Sequence, residues 1–429
     1  MNEITKGLFS FIEESPTCFH AVENARKALE QAGFLPLLEG QAWQLEPGKG
    51  YYVTRNQSSL MAFRVPETIT GFMVGAAHTD SPCLKLKENM ELRPEGYTKL
   101  DAEKYGGMLV YPWLDRPLSI GGRLMVRSQD GVASRLVNVD RDLLVIPSLA
   151  IHMDRSANEG KKWDAQVDLL PLLGKGEQDV LPMLARQLEI DPEDILSFDL
   201  FVYNRDKGTV LGPEEELILC PRLDDLQCVY GLLRGFLQAE TPRAMPVLAL
   251  FDNEEVGSET RQGAMSTFLS DVLQRVCLSR GLSREEYLRC VAQSLMISAD
   301  NAHGVHPNHP EKAALTNRPR LGEGVVIKYG ARYATDGPSA ALMRQILRSA
   351  GVPEQAYFNH SNVPGGGTLG NISGTQVSMH TVDIGLAQLA MHSACETAGT
   401  ADTEYLIRAM EAAFAGAIRE IGPEEFAVI

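Results

Sequence analysis

Two carboxylates stand side by side in the segment Phe251-Asp252-Asn253-Glu254-Glu255-Val256-Gly257-Ser258. An apolar, strand-like run over 246–251 leads into them, and Gly257 lets the chain turn. Adjacent carboxylates repel, so a buried pair needs a cation or a shared proton. One solution is division of labour: one carboxylate binds a metal while its neighbour handles protons. Taken alone, the pair reads as a solvated loop.

Other apolar runs end in groups of the same kind. Residues 71–77 end in His78-Thr79-Asp80, and 217–220 lead through Pro221 to Asp224-Asp225. Residues 295–299 end in Asp300, and 374–379 end in His380. Ligands gather at the carboxyl ends of strands in an α/β sheet. Two histidines and several carboxylates delivered to one edge have the composition of a metal site. Mixed nitrogen and oxygen ligands suit zinc first, with cobalt or manganese as substitutes.

Each candidate has a plainer reading as well. His78 and Asp80 are two apart, so in an extended chain they face the same way and Asp80 can orient the His78 region; otherwise they form a surface turn. Asp224-Asp225 opens a helix, where capping accounts for one carboxylate. Asp300 begins a segment carrying His303, His306 and His309, whose Gly and Pro make it a loop that does not converge the three rings. His380 could equally be a histidine at the core edge, satisfied by a backbone carbonyl. Residues 361–370, with Gly366 at the centre, form a loop that lets a substrate backbone approach closely or an ordinary turn. No strand–loop–helix context surrounds these glycines, so they do not signal a nucleotide site.

The elements that must position these groups fall into two textures. Helices are expected over 3–14 and 18–32, and strands over 51–55, 59–65 and 71–78. Short alternating pieces broken by Gly, Pro and Asp fill 84–220. After 221 helices are expected near 225–239, 263–277, 283–292, 336–350, 384–397 and 402–420. The simplest account is one α/β catalytic domain with a mixed sheet, residues 1–83 plus 221–429, interrupted by a β-rich insertion over 84–220. Folding must then join His78 to the groups beyond the insertion.

At 429 residues the chain can bury at least one large core, and its 44% apolar and 22% charged content is that of an ordinary globular protein. A net charge of −16 disfavours nucleic acid and anionic membrane surfaces as partners. No signal peptide or membrane-length apolar run is evident, which points to a cytoplasmic location. Seven cysteines, an odd number without CxxC, read as thiols of a reducing compartment.

Jointly these coincidences form a specific pattern. HTDSPC (78–83), PRLDDL (221–226), DNEEVGS (252–258), SADNAHGVHPNH (298–309), KYGARYATDG (328–337) and SMHTVD (378–383) closely resemble the M18 aminopeptidases, the aspartyl aminopeptidase family. The motifs occur in family order from the first helix to the last. The resemblance implies a two-zinc aminopeptidase with His78, Asp224 and Asp300 on one zinc and Asp224, Glu255 and His380 on the other. Asp224 bridges, Asp225 is a cap or structural partner, and Asp80 partners His78. Glu254 is the general base that makes hydroxide from a water between the metals. The insertion corresponds to the family's dimerisation domain, and the assembly to a dodecamer built from dimers. His152, in Ile151-His152-Met153-Asp154-Arg155, is either a further metal ligand or a residue reaching a neighbouring subunit's substrate. Both ligand triads are complete without it, which favours the second role. Lys328 occupies the position that, by resemblance, faces an acidic substrate side chain, implying peptides with N-terminal Asp or Glu.

Two other functions share parts of this composition. A two-zinc deacylase or carboxypeptidase would accept N-blocked substrates. A non-catalytic peptide-binding shell would not need Glu254 and a full ligand set.

Overall fold

The computed structural model describes residues 1–429. Helix α1 (Glu3–Glu13) begins at Asn2, whose side chain accepts the Thr5 N–H, and α2 (Cys18–Gln31) buries Ala21, Val22, Ala25 and Leu29 along one face. Strands β1 (Leu35–Leu37), β2 (Gly50–Arg55), β3 (Ser59–Arg64) and β4 (Phe72–His78) follow. The chain then leaves this layer. Strands β5 (Cys83–Leu92), β6 (Tyr97–Tyr105), β7 (Leu118–Ser128) and β8 (Gly131–Asn138) come next. Short helix α3 (Ala165–Asp168), β9 (Leu172–Lys175), α4 (Val180–Leu188) and β10 (Ile195–Asn204) complete a separate six-stranded sheet, ordered β8-β7-β10-β5-β6-β9. Leu84, Leu86, Leu124, Val126, Leu200 and Leu184 pack in its own core.

Strands β11 (Thr209–Leu211) and β12 (Leu217–Cys220) leave the six-stranded sheet, and α5 (Leu223–Gln238) and β13 (Met245–Phe251) follow. Next come α6 (Phe268–Ser279), α7 (Arg284–Ala292), β14 (Leu295–Ala299), β15 (Ala302–His303) and β16 (Val325–Lys328). The rest is α8 (Gly337–Ala350), β17 (Glu354–Tyr357), α9 (Leu369–Ser373), β18 (His380–Gly385), β19 (Ala387–Leu389), β20 (Glu396–Gly399), α10 (Asp402–Ala415) and the hairpin β21 (Ile418–Gly422)–β22 (Glu425–Val428). The central sheet is mixed, nine strands in the order β1-β2-β3-β13-β4-β14-β18-β16-β17, and a five-stranded sheet runs β11-β12-β20-β19-β15. The architecture is the α/β mixed-sheet catalytic domain with a β-rich insertion expected from the sequence. Strands β11 and β12, expected within the insertion, instead lie in the five-stranded sheet beside β20.

The central strands β4, β13 and β14 are buried along their whole length, as sheets covered on both faces require. Helices α5 and α10 cover one face together. A Cβ at Gly235 would lie 2.8 Å from Met410 Cβ, so the glycine sets how closely the two helices approach. Met245, Val247, Ala249 and Phe251 face the other way, onto Phe268, Val272 and Val276 of α6.

Residues 384–397, expected as a helix, form β18, β19, an irregular segment and β20. The apolar run Ile384-Gly385-Leu386-Ala387 has the density of a buried helix, but it lies inside paired sheets, and periodicity alone does not separate those cases.

Candidate metal centre

Strand register brings the site together. β4 and β13 run parallel with His78 opposite Phe251, and β14 runs parallel to β4 on its other side. One sheet edge therefore receives His78 directly, Glu254 and Glu255 from the turn after β13, and Asp300 from the residue after β14. Asp224 arrives from the smaller sheet, four residues beyond the end of β12.

His78, Asp224, Asp225 and Asp300 each offer a ligand atom within 4.8 Å of the others; so do His78, Glu254 and Glu255, and so do Asp224, Glu255 and His392. Asp224 sits between two imidazoles. His78 Nε2 is 3.4 Å from its Oδ1, and His392 Nε2 is 3.4 Å from its Oδ2. His392 Nε2 is also 3.4 Å from Glu255 Oε2, and His78 Nε2 is 4.0 Å from Asp300 Oδ1.

Both rings are held from behind by a backbone carbonyl. His78 Nδ1 lies 3.0 Å from Asp80 O, and His392 Nδ1 lies 2.7 Å from Gly107 O. A carbonyl only accepts, so each Nδ1 carries a proton and each ring turns its Nε2 toward the cluster, where the neutral form would present a lone pair to a metal. Asp80 acts further on the backbone: Oδ1 accepts the Glu254 N–H and Oδ2 the Glu255 N–H, each at 3.1 Å. Asp225, fully buried, accepts the His78 N–H at 3.1 Å.

The electrostatics fit bound cations. Burial pushes the Glu254 carboxyl up to about 7, with Asp300, Asp80 and Asp224 adding to the rise against His78. Burial and then Asp224 raise Glu255 well above the carboxylate range. Burial alone would raise Asp224 too, but His392 and His78 more than reverse it and hold the group low. Asp224 Oδ1 and Glu255 Oε1 are buried and accept no hydrogen bond. Unpartnered buried carboxylate oxygens beside two Nε2 lone pairs form a donor set that zinc completes.

His380 is not in this cluster. It is the first residue of β18 and pairs with Leu295, the first residue of β14, so it lies at the opposite edge of the sheet from Asp300. Its ring packs edge-on against Phe426 at 4.7 Å. The run 374–379 predicts a strand ending at Met379, whereas β18 starts at His380, so the ligand edge lies beyond Gly385. His392, in the loop past that edge, takes the place expected of His380. The helix expected over 384–397 conceals it, although a histidine after the largely apolar stretch 386–391, interrupted only by Gln388, resembles the pattern at His78.

Lys328 is 2% exposed, and its Nζ donates to Asp300 O at 2.8 Å and lies 3.2 Å from Asp300 Oδ2. The anion this buried lysine needs is thus Asp300. Lys328 still edges the cleft, together with His303, Tyr333, Gly366 and His392. His306 and His309 line a neighbouring hollow that meets the cleft at His303 and Gly366. His152 lies in an exposed turn of the insertion, outside the residues lining its own chain's cleft.

Residues 11–414 match the family described as Aminopeptidase I zinc metalloprotease (M18). The chain is 44% identical over 423 residues to the probable M18 family aminopeptidase 2 of Clostridium acetobutylicum, covering 95% of this chain and 98% of that protein. Among solved structures it is similar to a chain of the Ape4 and Nbr1 complex, with a TM-score of 0.93 and 35% identity over 96% of this chain and 85% of that one. It is also similar to the S. cerevisiae mApe1 dodecamer, with a TM-score of 0.84 and 27% identity over 96% of each chain. A buried donor set of two histidines and several carboxylates, on this fold and with these relatives, leads to one conclusion: the chain belongs to the M18 aminopeptidase family and is a zinc-dependent aminopeptidase.

Proposed function

We propose that the chain holds two zinc ions, with cobalt or manganese as substitutes, and removes the N-terminal residue of peptides, preferring Asp and Glu. The observation that carries this reading is the division of Asp224 between two imidazoles, one on each carboxylate oxygen. His78, Asp224 and Asp300 would hold one ion, and Asp224, Glu255 and His392 the other. Bound zinc supplies polarisation of the scissile carbonyl and a lower pKa for water.

The remaining chemistry belongs to the side chains. Glu254, whose carboxylate lies within 4.8 Å of the His78 and Glu255 ligand atoms, takes a proton from the attacking water. Oxygen bonds to the carbonyl carbon, the C–N bond breaks, and Glu254 returns the proton to the departing amine nitrogen. Asp80 fixes the approach of Glu254 by holding its backbone. Acidic groups around the cleft favour a free α-ammonium, so N-blocked peptides lose that contact. When Asp300 is engaged by a cation, the Lys328 charge is left to the cleft, which favours an acidic side chain there.

The insertion is read as a dimerisation domain, and the assembly as a dodecamer built from dimers, like the S. cerevisiae mApe1 dodecamer. Leu149, Ile151 and Met153 are 54%, 49% and 76% exposed around His152, an apolar surface suited to a partner copy. His152 would then serve a neighbour's substrate. A cytoplasmic location fits this reading; no helix is long and apolar enough to cross a membrane.

Metal analysis combined with a panel of free and N-acetylated aminoacyl substrates tests the proposal. Two zincs per chain and turnover of free Asp and Glu substrates are expected. Faster cleavage of acetylated substrates would replace it with a deacylase. Mixing His152→Phe with Glu254→Gln subunits tests the neighbour role: activity should recover in the mixed assembly.

A further inference from the structure

The geometry points to Tyr105, the last residue of β6 in the insertion, as a positioning residue for the aminopeptidase reaction, acting through Asp80 on Glu254 and Glu255. The inference rests on the cluster being the zinc centre. Tyr105 Oη donates to Asp80 Oδ2 at 2.8 Å and accepts from Asn253 Nδ2 at 2.8 Å. Asp80 in turn accepts the backbone N–H groups of Glu254 and Glu255. The Tyr105 ring packs edge-on against Phe201 at 5.5 Å, which fixes where the hydroxyl points. A hydroxyl from one domain therefore sets the carboxylate that carries the backbone of the general base in the other.

The next residues reach the same centre. Gly106 has φ +77, and a Cβ there would lie 3.0 Å from Glu255 Cβ. Gly107 O accepts from His392 Nδ1, and the Leu109 N–H donates to His392 O at 3.0 Å. Plain domain packing does not require that contacts of one five-residue segment converge on Asp80, Glu255 and His392. Positioning does, because a ligand or base displaced by about 1 Å can lose about 10²-fold in rate. Partners of metal ligands typically contribute about 10- to 100-fold in metal affinity or activity.

The test uses full-length holoenzyme. Tyr105→Phe keeps the ring and removes the hydroxyl. Zinc dissociation is measured by chelator competition, beside kcat, KM, melting temperature and assembly size. The expected result is zinc held about 10-fold more weakly and kcat lowered about 10- to 100-fold, with KM, melting temperature and assembly unchanged. Gly106→Ala, which crowds Glu255 from a different atom, should move zinc affinity the same way. Tyr105→Phe with zinc affinity and kcat at wild-type values overturns the inference, as does a lower melting temperature with unchanged kcat. His392→Ala separates the two ideas. If it keeps full zinc, the metal-centre reading fails and this inference with it. If it loses zinc while Tyr105→Phe matches wild type, this inference alone fails.

Discussion

Glu396 Oε2 accepts the backbone N–H of Asp224 at 2.9 Å. Its Oε1 accepts the backbone N–H of His392 at 2.7 Å. Glu396 opens β20 opposite Cys220, the last residue of β12, so one strand pair supplies both tethered segments. Asp80 does the same for Glu254 and Glu255. Two buried carboxylates thus fix the backbones of four cluster residues. In Glu396→Gln one carboxylate oxygen becomes an amide, leaving a buried N–H unpaired. The expected loss is about 1–3 kcal/mol of stability, read as a lower denaturant midpoint at unchanged m-value.

Glu254→Gln should keep its zinc and lose turnover. The amide preserves shape but takes no proton, and a positioned acid or base contributes about 10²–10⁴-fold. Metal analysis and kcat on the same preparation check this. Near-normal kcat in the zinc-loaded variant would remove Glu254 as the base.

His392→Ala and His380→Ala should behave oppositely. The first removes an imidazole 3.4 Å from both Asp224 and Glu255 and should lower zinc content and activity together. The second removes a ring packed on Phe426 at the far edge and should leave kcat within about twofold, since surface changes away from a site are usually mild. Zinc loss in His380→Ala with full zinc in His392→Ala would reverse the assignment.

Most of this centre was legible because strand ends announce themselves. His78, Glu254, Glu255 and Asp300 each follow a short apolar run, and parallel register aligns three of those ends. Asp224 was legible as a carboxylate pair after a strand and a proline. His380 is the expected ligand and His392 is not, because the composition of 374–397 shows neither that β18 begins at His380 nor which of its ends lies at the ligand edge. Strand direction decides that, and direction is a property of pairing with β14. Glu396, Tyr105 and Gly107 carried no local signal, since their roles consist of contacts across sheets or domains. The end of the insertion was hidden likewise: β12 is assigned by its partner β20, not by its own residues.

Zinc uptake should release protons. Burial alone would lower the His392 pKa, but the Asp224 and Glu255 carboxylates more than reverse that and push it up to about 10 in the metal-free protein. His78 is raised as well: its burial is outweighed by Asp225, Asp224 and Asp80. Between the ordinary imidazole value of about 6.5 and about 10, metal-free protein therefore holds protons that a liganding imidazole must give up. Apparent zinc affinity should rise with pH through that window, by about tenfold per pH unit for each displaced proton. Calorimetric zinc titrations at pH 8, in two buffers of different ionisation enthalpy, give the number released. His392→Ala should lower that number and His380→Ala should leave it unchanged. Proton-neutral uptake at pH 8 in the wild-type protein would show that neither imidazole is protonated before the metal binds.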